Sequence, residues 1–373
     1  MRRIVIDNIK AGMCVARPVY NSDGQILLNK GVILNSRYIQ RLKEFNIIAI
    51  YIDDGLLPEL EVDDVITDET RIKAVINIKK ILAKQTDHNI GNNIIVPTAV
   101  IESVNDIMDE LLSTHNIMVN LTDIRNSDDY VFYHSVNVCV LAIITGIALG
   151  YDRRRLKDLA VGAMLHDIGK IKVPKEILNK PGRLTSEEFA VIKKHSQWGY
   201  EMLKTNFNVS AISCVAAYQH HERYNGEGYP QGLEGDQIHE FSQIVGLVDM
   251  YDAITADRVY RQAFPPNEAY EMIAGTGDYF FRYDIVKAFL DHVAAYPVGT
   301  IVELNTGERG IVVSTKMGFS LRPKIKLLYD SDGQPILNCT YLDLAESTNT
   351  VVTRILRGDE LTLNLLAGRK NNP

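Results

Sequence analysis

The sequence has few cysteines, and none stands in a spacing that binds zinc or builds a disulfide framework. Cys14, Cys139, Cys214 and Cys339 are widely scattered and include no C-x-x-C pair. A zinc ribbon and a small disulfide-stabilised scaffold are therefore excluded. The pattern is typical of the reducing cytosol, and we expect a cytoplasmic protein.

An excess of positive charge and a long hydrophobic run are also lacking. The formal net charge of -7 argues against a protein that coats a DNA or RNA duplex, although a local basic site can hold a small phosphorylated ligand. The apolar run Val138 to Leu149 is shorter than the roughly 20 residues of a membrane-spanning helix. At the N-terminus, Asp7 comes before any signal-like apolar segment develops. We therefore predict a soluble protein with no membrane span.

The pattern of apolar residues divides the chain of 373 residues, which is too long for one ordinary core, into several units. Short β-like segments with turn residues extend from Ile4 to about Ile52, helical spacing dominates to about Ala295, and β-like segments return after Pro297. We predict an all-α domain at 99–295, flanked by a small α+β module at 1–60 and a small β-rich unit at 296–373. Residues 61–98 are predicted to form a helical connector.

Histidines and aspartates are concentrated in the helical part of the chain. His134 precedes Val138 and Leu141 on an apolar stripe, where a single histidine would ordinarily be a hydrogen-bonded core residue. So many buried polar groups would, however, each need a separate partner. Bound metal ions compensate them together, because one carboxylate can bridge two cations while imidazoles complete each shell. The positions that we single out are His134, His166, Asp167, His195, His220, His221 and Asp249.

Two of these positions are adjacent, and two follow apolar runs. His220 and His221 are predicted to lie on a helix about 100° apart, so that they address different sides of a dinuclear cluster. Asp167 and Asp249 each follow a strongly apolar segment, where an uncompensated carboxylate is costly.

Two further segments leave alternatives open. Residues 168–183 hold five basic side chains against one acidic one, giving +4, which indicates either an anion funnel or a solvated loop face. The glycines between Asn225 and Pro230 indicate either a tight turn or a close approach of backbone to a ligand. Their position after His-His-Glu favours the ligand.

The order of these motifs resembles the HD-GYP branch of the HD-domain phosphohydrolases. The chain reads H…HD-x-G-K…H-x-x-x-G…HHE…G-x-G-Y-P…D-x-x-D-A…R-x-Y-R between about Val100 and Ala295. The resemblance implies an HD-type helical catalytic domain and metal-dependent hydrolysis of cyclic di-GMP, to linear pGpG or onward to GMP. The segments around Gly12 and Gly24 also resemble the small module that precedes such domains.

The same resemblance implies a role for individual residues. The metal ligands would be the seven histidines and aspartates named above, with Asp167 as the bridge and Asp252 supporting a ligand. Lys170 would approach the scissile phosphate, and Tyr229 of the signature loop would lie near substrate. Arg258 and Arg261 would hold the second phosphate and the guanine end.

The number and kind of metal follow from the ligand types. Mixed histidine and aspartate ligation at more than four positions favours iron or manganese over a closed zinc site. Family members with a third metal carry a glutamate four residues before the first ligand histidine, where this chain has Tyr130. A neutral phenol is a poor substitute for a bridging carboxylate, so we expect two metals rather than three. On the signature loop, Asn225 stands where the family has aspartate.

Two other functions remain open at this point. One is a signalling module that retains metal and nucleotide but turns over slowly, with the flanking units contacting a partner or a second copy of the chain. The other is an HD hydrolase that acts on a different nucleotide, which the Gly-Tyr-Pro loop and the two arginines disfavour.

Overall fold

The computed structural model describes residues 2–21, 24–45, 47, 49–53, 64–83, 96–114, 117–120, 130–256 and 263–356. Along the chain it consists of a small α+β region, a helical region and a region rich in strands, as the sequence predicts.

The N-terminal region pairs short strands around one helix. The sheet has the order β1-β5-β2, and β3 and β4 form a separate hairpin. Asn35 begins the helix α1 because its side chain accepts a hydrogen bond from the amide of Tyr38. Leu42 of α1 packs with Ile50 and Ile52 of β5 in a small apolar core. The elements are β1 (Arg2–Val5), β2 (Cys14–Val15), β3 (Val19–Tyr20), β4 (Ile26–Leu28), α1 (Ser36–Glu44) and β5 (Ala49–Asp53).

The helical region shares one continuous apolar core, which extends from Ile66 to Val293. The helix α4 lies at its centre and packs on α5 and α9, while α8 packs on α5, α7 and α9. In this arrangement the ends of several helices lie close to one another. The helices are α2 (Asp68–Ala83), α3 (Thr98–Ser113), α4 (Tyr130–Ala148), α5 (Arg153–Leu165), α6 (Lys175–Leu178), α7 (Ser186–Leu203), α8 (Ala211–Gln219), α9 (Glu240–Thr255), α10 (Pro266–Ala274) and α11 (Tyr283–Leu290).

The apolar run noted in the sequence belongs to α4. Within the described part of the chain, Val131–Ala148 is the one helix whose length and composition match a membrane span, and 72% of it is buried inside the protein. Its apolar surface is used in packing against neighbouring helices.

The C-terminal region is an antiparallel sheet with the strand order β10-β6-β7-β8-β9. Val302, Val312 and Ile325 project from three neighbouring strands into a common core. The turn before β9 is stabilised by Asp330, whose carboxylate accepts hydrogen bonds from the amides of Asp332 and Gln334. The strands are β6 (Ile301–Leu304), β7 (Arg309–Ser314), β8 (Lys324–Tyr329), β9 (Pro335–Asp343) and β10 (Val352–Ile355).

The β3–β4 hairpin of the N-terminal region contacts α2. A Cβ atom on Gly24 would lie 2.5 Å from a side-chain carbon of Ile72, so the hairpin backbone approaches the helix closely. Arg17 also forms an ion pair of 2.9 Å with Asp68 in the first turn of α2. The N-terminal region is therefore attached to the helix that leads into the helical region.

Candidate metal centre

The candidate ligands come from separate elements that converge on one site. His134 lies on α4, His166 caps the C-terminus of α5, and Asp167 follows directly. His195 lies on α7 and Asp249 on α9, whereas His220 and His221 follow α8.

Asp167 belongs to two groups of potential ligands. It lies with His195, His220 and His221 in one group and with His134 and His166 in the other, and within each group the ligand atoms all lie within 4.8 Å of one another. Its Oδ1 is 3.4 Å from His195 Nε2, and its Oδ2 is 3.3 Å from His166 Nε2. One carboxylate thus faces both groups, which is the geometry that a bridging ligand requires.

Asp249 extends the second group. Its Oδ1 lies 3.1 Å from His134 Nε2 and 3.9 Å from His166 Nε2. All seven positions singled out in the sequence therefore lie around one site.

Backbone carbonyls orient three of the imidazoles. The Nδ1 atoms of His166, His195 and His220 lie 2.7, 2.7 and 2.9 Å from the carbonyl oxygens of the residues three positions earlier. Because a carbonyl only accepts, each Nδ1 donates a proton and leaves the Nε2 lone pair available. Histidines that bind metals are held in this way.

Two buried polar atoms at the site have no hydrogen-bond partner. They are Nε2 of His166 and Oδ1 of Asp167. Leaving such atoms unsatisfied costs about 1–3 kcal/mol each. Divalent cations held by the two groups would satisfy these atoms, so the donor set fits a metal.

The protonation states suit cation binding at most of the ligands. Burial lowers the pKa of His220 and His221 well below the usual histidine value, and neighbouring histidines act in the same direction. Although burial alone would raise it, Lys170 and nearby histidines hold the pKa of Asp167 well below its usual range. Neutral imidazoles and an ionised carboxylate are the forms that bind metals.

His134 differs from the other histidines. Burial acts to lower its pKa, but hydrogen bonds to Asp249 and Asp252 raise that pKa to about 10. A cation at His134 therefore competes with a proton for Nε2.

The glycine of the HD-x-G-K motif lets two ligand-bearing segments meet. A Cβ atom on Gly169 would lie 1.9 Å from the carbonyl oxygen of His195 and 2.6 Å from the amide nitrogen of Gly199. Only glycine permits this approach of the 3-10 helix Ile168–Lys172 to α7. The motif glycine thus places His195 beside Asp167.

The signature loop is a tight turn that also places an aromatic ring on a candidate ligand. A Cβ atom on Gly228 would lie 2.4 Å from the Cα of Glu222, whose buried carboxylate accepts hydrogen bonds from two loop amides. The Tyr229 ring stacks on His221, with centroids 4.6 Å apart and planes at 26°. The Asn225 side chain accepts a hydrogen bond from Glu227 N and preserves the turn. Glu222 was not assigned a role from the sequence, although it ends the His-His-Glu motif.

The basic segment after Asp167 is not a uniform funnel. Lys170 Nζ lies 2.5 Å from Asp167 Oδ2 and is about a third exposed at 32%. Lys180, by contrast, pairs with both oxygens of Glu188 at 2.7 and 2.8 Å. The arginines Arg258 and Arg261 and the side chain of Tyr130 lie outside the described residues.

The prediction for the adjacent histidines was wrong. Helix α8 ends at Gln219, so His220 is its C-cap and His221 lies beyond it. The rings lie 4.1 Å apart at 44°, and both belong to the same ligand group with Asp167. The spacing of about 100° along a continuous helix does not apply where the helix ends.

Two buried polar residues, Asp252 and Asn137, support His134 on its Nδ1 side. Asp252 Oδ2 lies 2.7 Å from His134 Nδ1, in agreement with the supporting role implied for Asp252. Asn137 donates from Nδ2 to Asp252 Oδ1 at 3.1 Å. Asn137 was not assigned a role from the sequence, although a polar residue within an apolar run was the available signal.

Comparison with known proteins identifies the domains. Residues 108–285 match the family model of the HD domain, and residues 301–364 match that of a KOW domain associated with the HD domain. The chain therefore carries an HD domain followed by a strand-rich KOW-like domain. Its HD, His-His-Glu and Gly-Tyr-Pro motifs are similar to those of the HD-GYP group.

Two curated relatives and one solved structure illustrate the similarity. The chain is 34% identical over 247 residues to cyclic di-GMP phosphodiesterase PA4108 of Pseudomonas aeruginosa, covering 66% of this chain and 59% of the relative. It is 36% identical over 161 residues to 3'3'-cGAMP-specific phosphodiesterase 1 of Vibrio cholerae, covering 43% and 37%. Bd1817, an HDG"Y"P protein from Bdellovibrio bacteriovorus, shares the fold with a TM-score of 0.52 at 18% identity, covering 78% of this chain and 98% of that one.

The chain spans about three fifths of the length of the first two curated relatives. It spans 59% and 62% of the lengths of the two cyclic di-GMP phosphodiesterases from Pseudomonas aeruginosa and Borreliella burgdorferi.

Proposed function

We propose that this protein is a metal-dependent phosphodiesterase that hydrolyses cyclic di-GMP to pGpG and, by a second cleavage, to GMP. The observation that carries the proposal is the Asp167 carboxylate, which faces two histidine groups and lies beside Lys170. The names of the curated relatives at 34% and 29% identity support this substrate.

The centre would hold two divalent ions, iron or manganese, with Asp167 as the shared ligand. The other ligands would be His134, His166, His195, His220, His221 and Asp249. Bound ions of this kind lower the pKa of a coordinated water and neutralise charge on a phosphodiester. Anomalous diffraction at the iron and manganese edges tests the number and the element. Three fully occupied peaks would contradict two metals.

The chain's own residues would position the substrate around this centre. Lys170 places a cation next to Asp167, where it would contact the scissile phosphate. Tyr229, held against His221, offers a ring to a nucleobase. Arg258 and Arg261 would hold the second phosphate, since a guanidinium binds phosphate through two parallel hydrogen bonds.

A second cyclic dinucleotide is the alternative substrate. The 36% identity to a 3'3'-cGAMP-specific enzyme favours testing it. Purified protein is incubated anaerobically with cyclic di-GMP, 3'3'-cGAMP or cyclic di-AMP, and the products are separated by chromatography. We expect the highest kcat/KM for cyclic di-GMP. Faster cleavage of 3'3'-cGAMP would reassign the substrate, and tight binding without turnover would indicate a signalling module.

We also propose the following organisation of the chain. The units would divide near residues 60, 98 and 295. The protein would act in the cytoplasm without binding a nucleic-acid duplex, and the flanking units would contact a second copy of the chain or a signalling partner. Size-exclusion chromatography with light scattering tests the dimer.

A further inference from the structure

A buried arginine lies on the apolar face of α2. Arg71 is only 7% exposed and shares its helix face with the buried residues Ala74, Val75 and Ile78. Burying a guanidinium among apolar side chains is costly unless hydrogen bonds and a counter-charge compensate it. The hydrogen-bond partners of Arg71 therefore indicate its role.

The contacts of Arg71 lead to a candidate metal ligand. Its Nη1 donates to Asn137 Oδ1 at 2.5 Å, and its Nη2 donates to Asp64 Oδ2 at 2.8 Å. Asn137 Nδ2 in turn donates to Asp252 Oδ1 at 3.1 Å, and Asp252 Oδ2 lies 2.7 Å from His134 Nδ1. Four side chains from three helices thus form one buried chain.

The chemistry of each group sets the direction of the hydrogen bonds. Arginine only donates, so Asn137 presents its carbonyl oxygen to Arg71 and its amide hydrogens to Asp252. Asp252 then accepts from Asn137 on one oxygen and from His134 on the other. With Nδ1 engaged, His134 directs Nε2 to Asp249 at 3.1 Å and to Asp167 at 3.7 Å.

We propose that Arg71 is a positioning residue that orients the metal ligand His134 through Asn137 and Asp252. The inference rests on the proposed metal centre. Helix α2 precedes residues 108–285, which match the HD domain. Arg71 would therefore support the metal centre from outside the matched domain.

The same helix carries the N-terminal region. Arg17 pairs with Asp68 and Gly24 contacts Ile72, one residue on from Arg71. A shift of α2 against α4 would change the Arg71–Asn137 contact and thereby the orientation of His134. The N-terminal region is thus connected to the centre through a continuous set of contacts.

The test measures metal affinity rather than activity alone. Mn²⁺ binding to the full chain is measured by competition with a chelator, and melting is measured on metal-free protein. We expect Arg71→Gln to weaken Mn²⁺ binding by about 10–100-fold, as for other residues that orient ligands. Arg71→Lys should recover part of this loss because it keeps the charge. The control Lys73→Gln, also on α2, removes an exposed ion pair with Asp106 of α3 and should change affinity less than about twofold.

A double-mutant cycle separates orientation from general destabilisation. If the residues act in series, Arg71→Gln combined with Asn137→Ala should weaken Mn²⁺ binding no more than the stronger single variant. Additive losses would overturn the inference. If Arg71→Gln does not fold, Asn137→Ala alone carries the test and should show the same loss.

The variant His134→Ala distinguishes this inference from the proposed metal centre. If His134→Ala weakens Mn²⁺ binding but Arg71→Gln only lowers the melting temperature of metal-free protein, Arg71 is structural and this inference alone fails. If His134→Ala binds Mn²⁺ normally, both fail, because no ligand remains to be oriented.

Discussion

The helical region and the C-terminal sheet bury different kinds of side chain. The helical region buries four candidate ligand histidines together with Asp167, Glu222 and Asp252. Among the described residues of the C-terminal region, 301–356, the buried side chains are aliphatic apart from Tyr329 and Ser320, and Ser320 donates to the carbonyl of Leu290. This buried set contains no histidine, aspartate or glutamate. Burial in the sheet thus mainly stabilises the fold, whereas part of the burial in the helical region encloses the candidate metal ligands.

This difference has a physical basis. Buried charged and polar groups destabilise a fold unless they are paired. At the candidate centre the two unpaired atoms belong to the adjacent candidate ligands His166 and Asp167, whereas those of the C-terminal region belong to Glu308, Thr315 and Tyr329, which are not candidate ligands. Variants in the two regions should therefore separate stability from function, and four experiments test whether they do.

The largest effect should come from Asp167→Ala. Removing this carboxylate should abolish cluster assembly and lower kcat by roughly a thousandfold, because both of the proposed metals would lose a ligand. His166→Ala should act in the same direction. Metal analysis and product chromatography measure the outcome, with Glu176→Ala as a control at an exposed carboxylate. Near-normal metal content together with normal turnover would refute the assignment.

The next effect concerns the sheet. Ile325 is fully buried between Val312 and Leu342 on the neighbouring strands. Ile325→Ala should lower the free energy of unfolding by about 2–5 kcal/mol through cavity formation. Below the melting transition, the metal content and kcat of Ile325→Ala should match the wild type. The control Leu337→Ala, at a 95% exposed position, should change neither metal content nor kcat. A loss of bound metal in folded Ile325→Ala would show that the two regions are coupled.

Lys170→Ala should separate binding from turnover. We expect metal to be retained and kcat to fall by about a hundredfold, since a positioned cation beside the reacting phosphate stabilises the transition state. Arg258→Ala should instead raise KM, because it is predicted to hold the remote phosphate. Steady-state kinetics measures both, with Lys175→Ala as the control. An unchanged KM in Arg258→Ala would exclude the proposed clamp.

The smallest effect should come from Tyr229→Phe. Burial raises the pKa of Tyr229, so its phenol stays protonated, and the ring itself stacks on His221. We expect less than about a fivefold change in kcat/KM for Tyr229→Phe and about tenfold for Tyr229→Ala, as the loss of an aromatic pair suggests. A loss in Tyr229→Phe as large as in Tyr229→Ala would assign the role to the hydroxyl group.

The amino-acid sequence was sufficient to predict the helical region, the strand-rich ends and the set of histidines and aspartates at the centre. These features are visible locally, because periodicity reports which face of an element is buried and a polar residue on that face requires a partner. The motif order indicated the similarity to the HD-GYP group, because the motifs are short and can be read directly from the sequence. The short segment of glycines was also predictable as a turn, since backbone geometry restricts such positions to glycine.

Which side chains contact one another depends on the tertiary structure. Arg71 and Asn137 are separated by 66 residues and Asn137 and Asp252 by 115, so no local pattern connects them. The helix end at Gln219, which places His220 and His221 in one group, likewise depends on the packing of α8 against its neighbours. Local propensity sets the elements, but long-range burial sets where they end and which polar groups compensate one another.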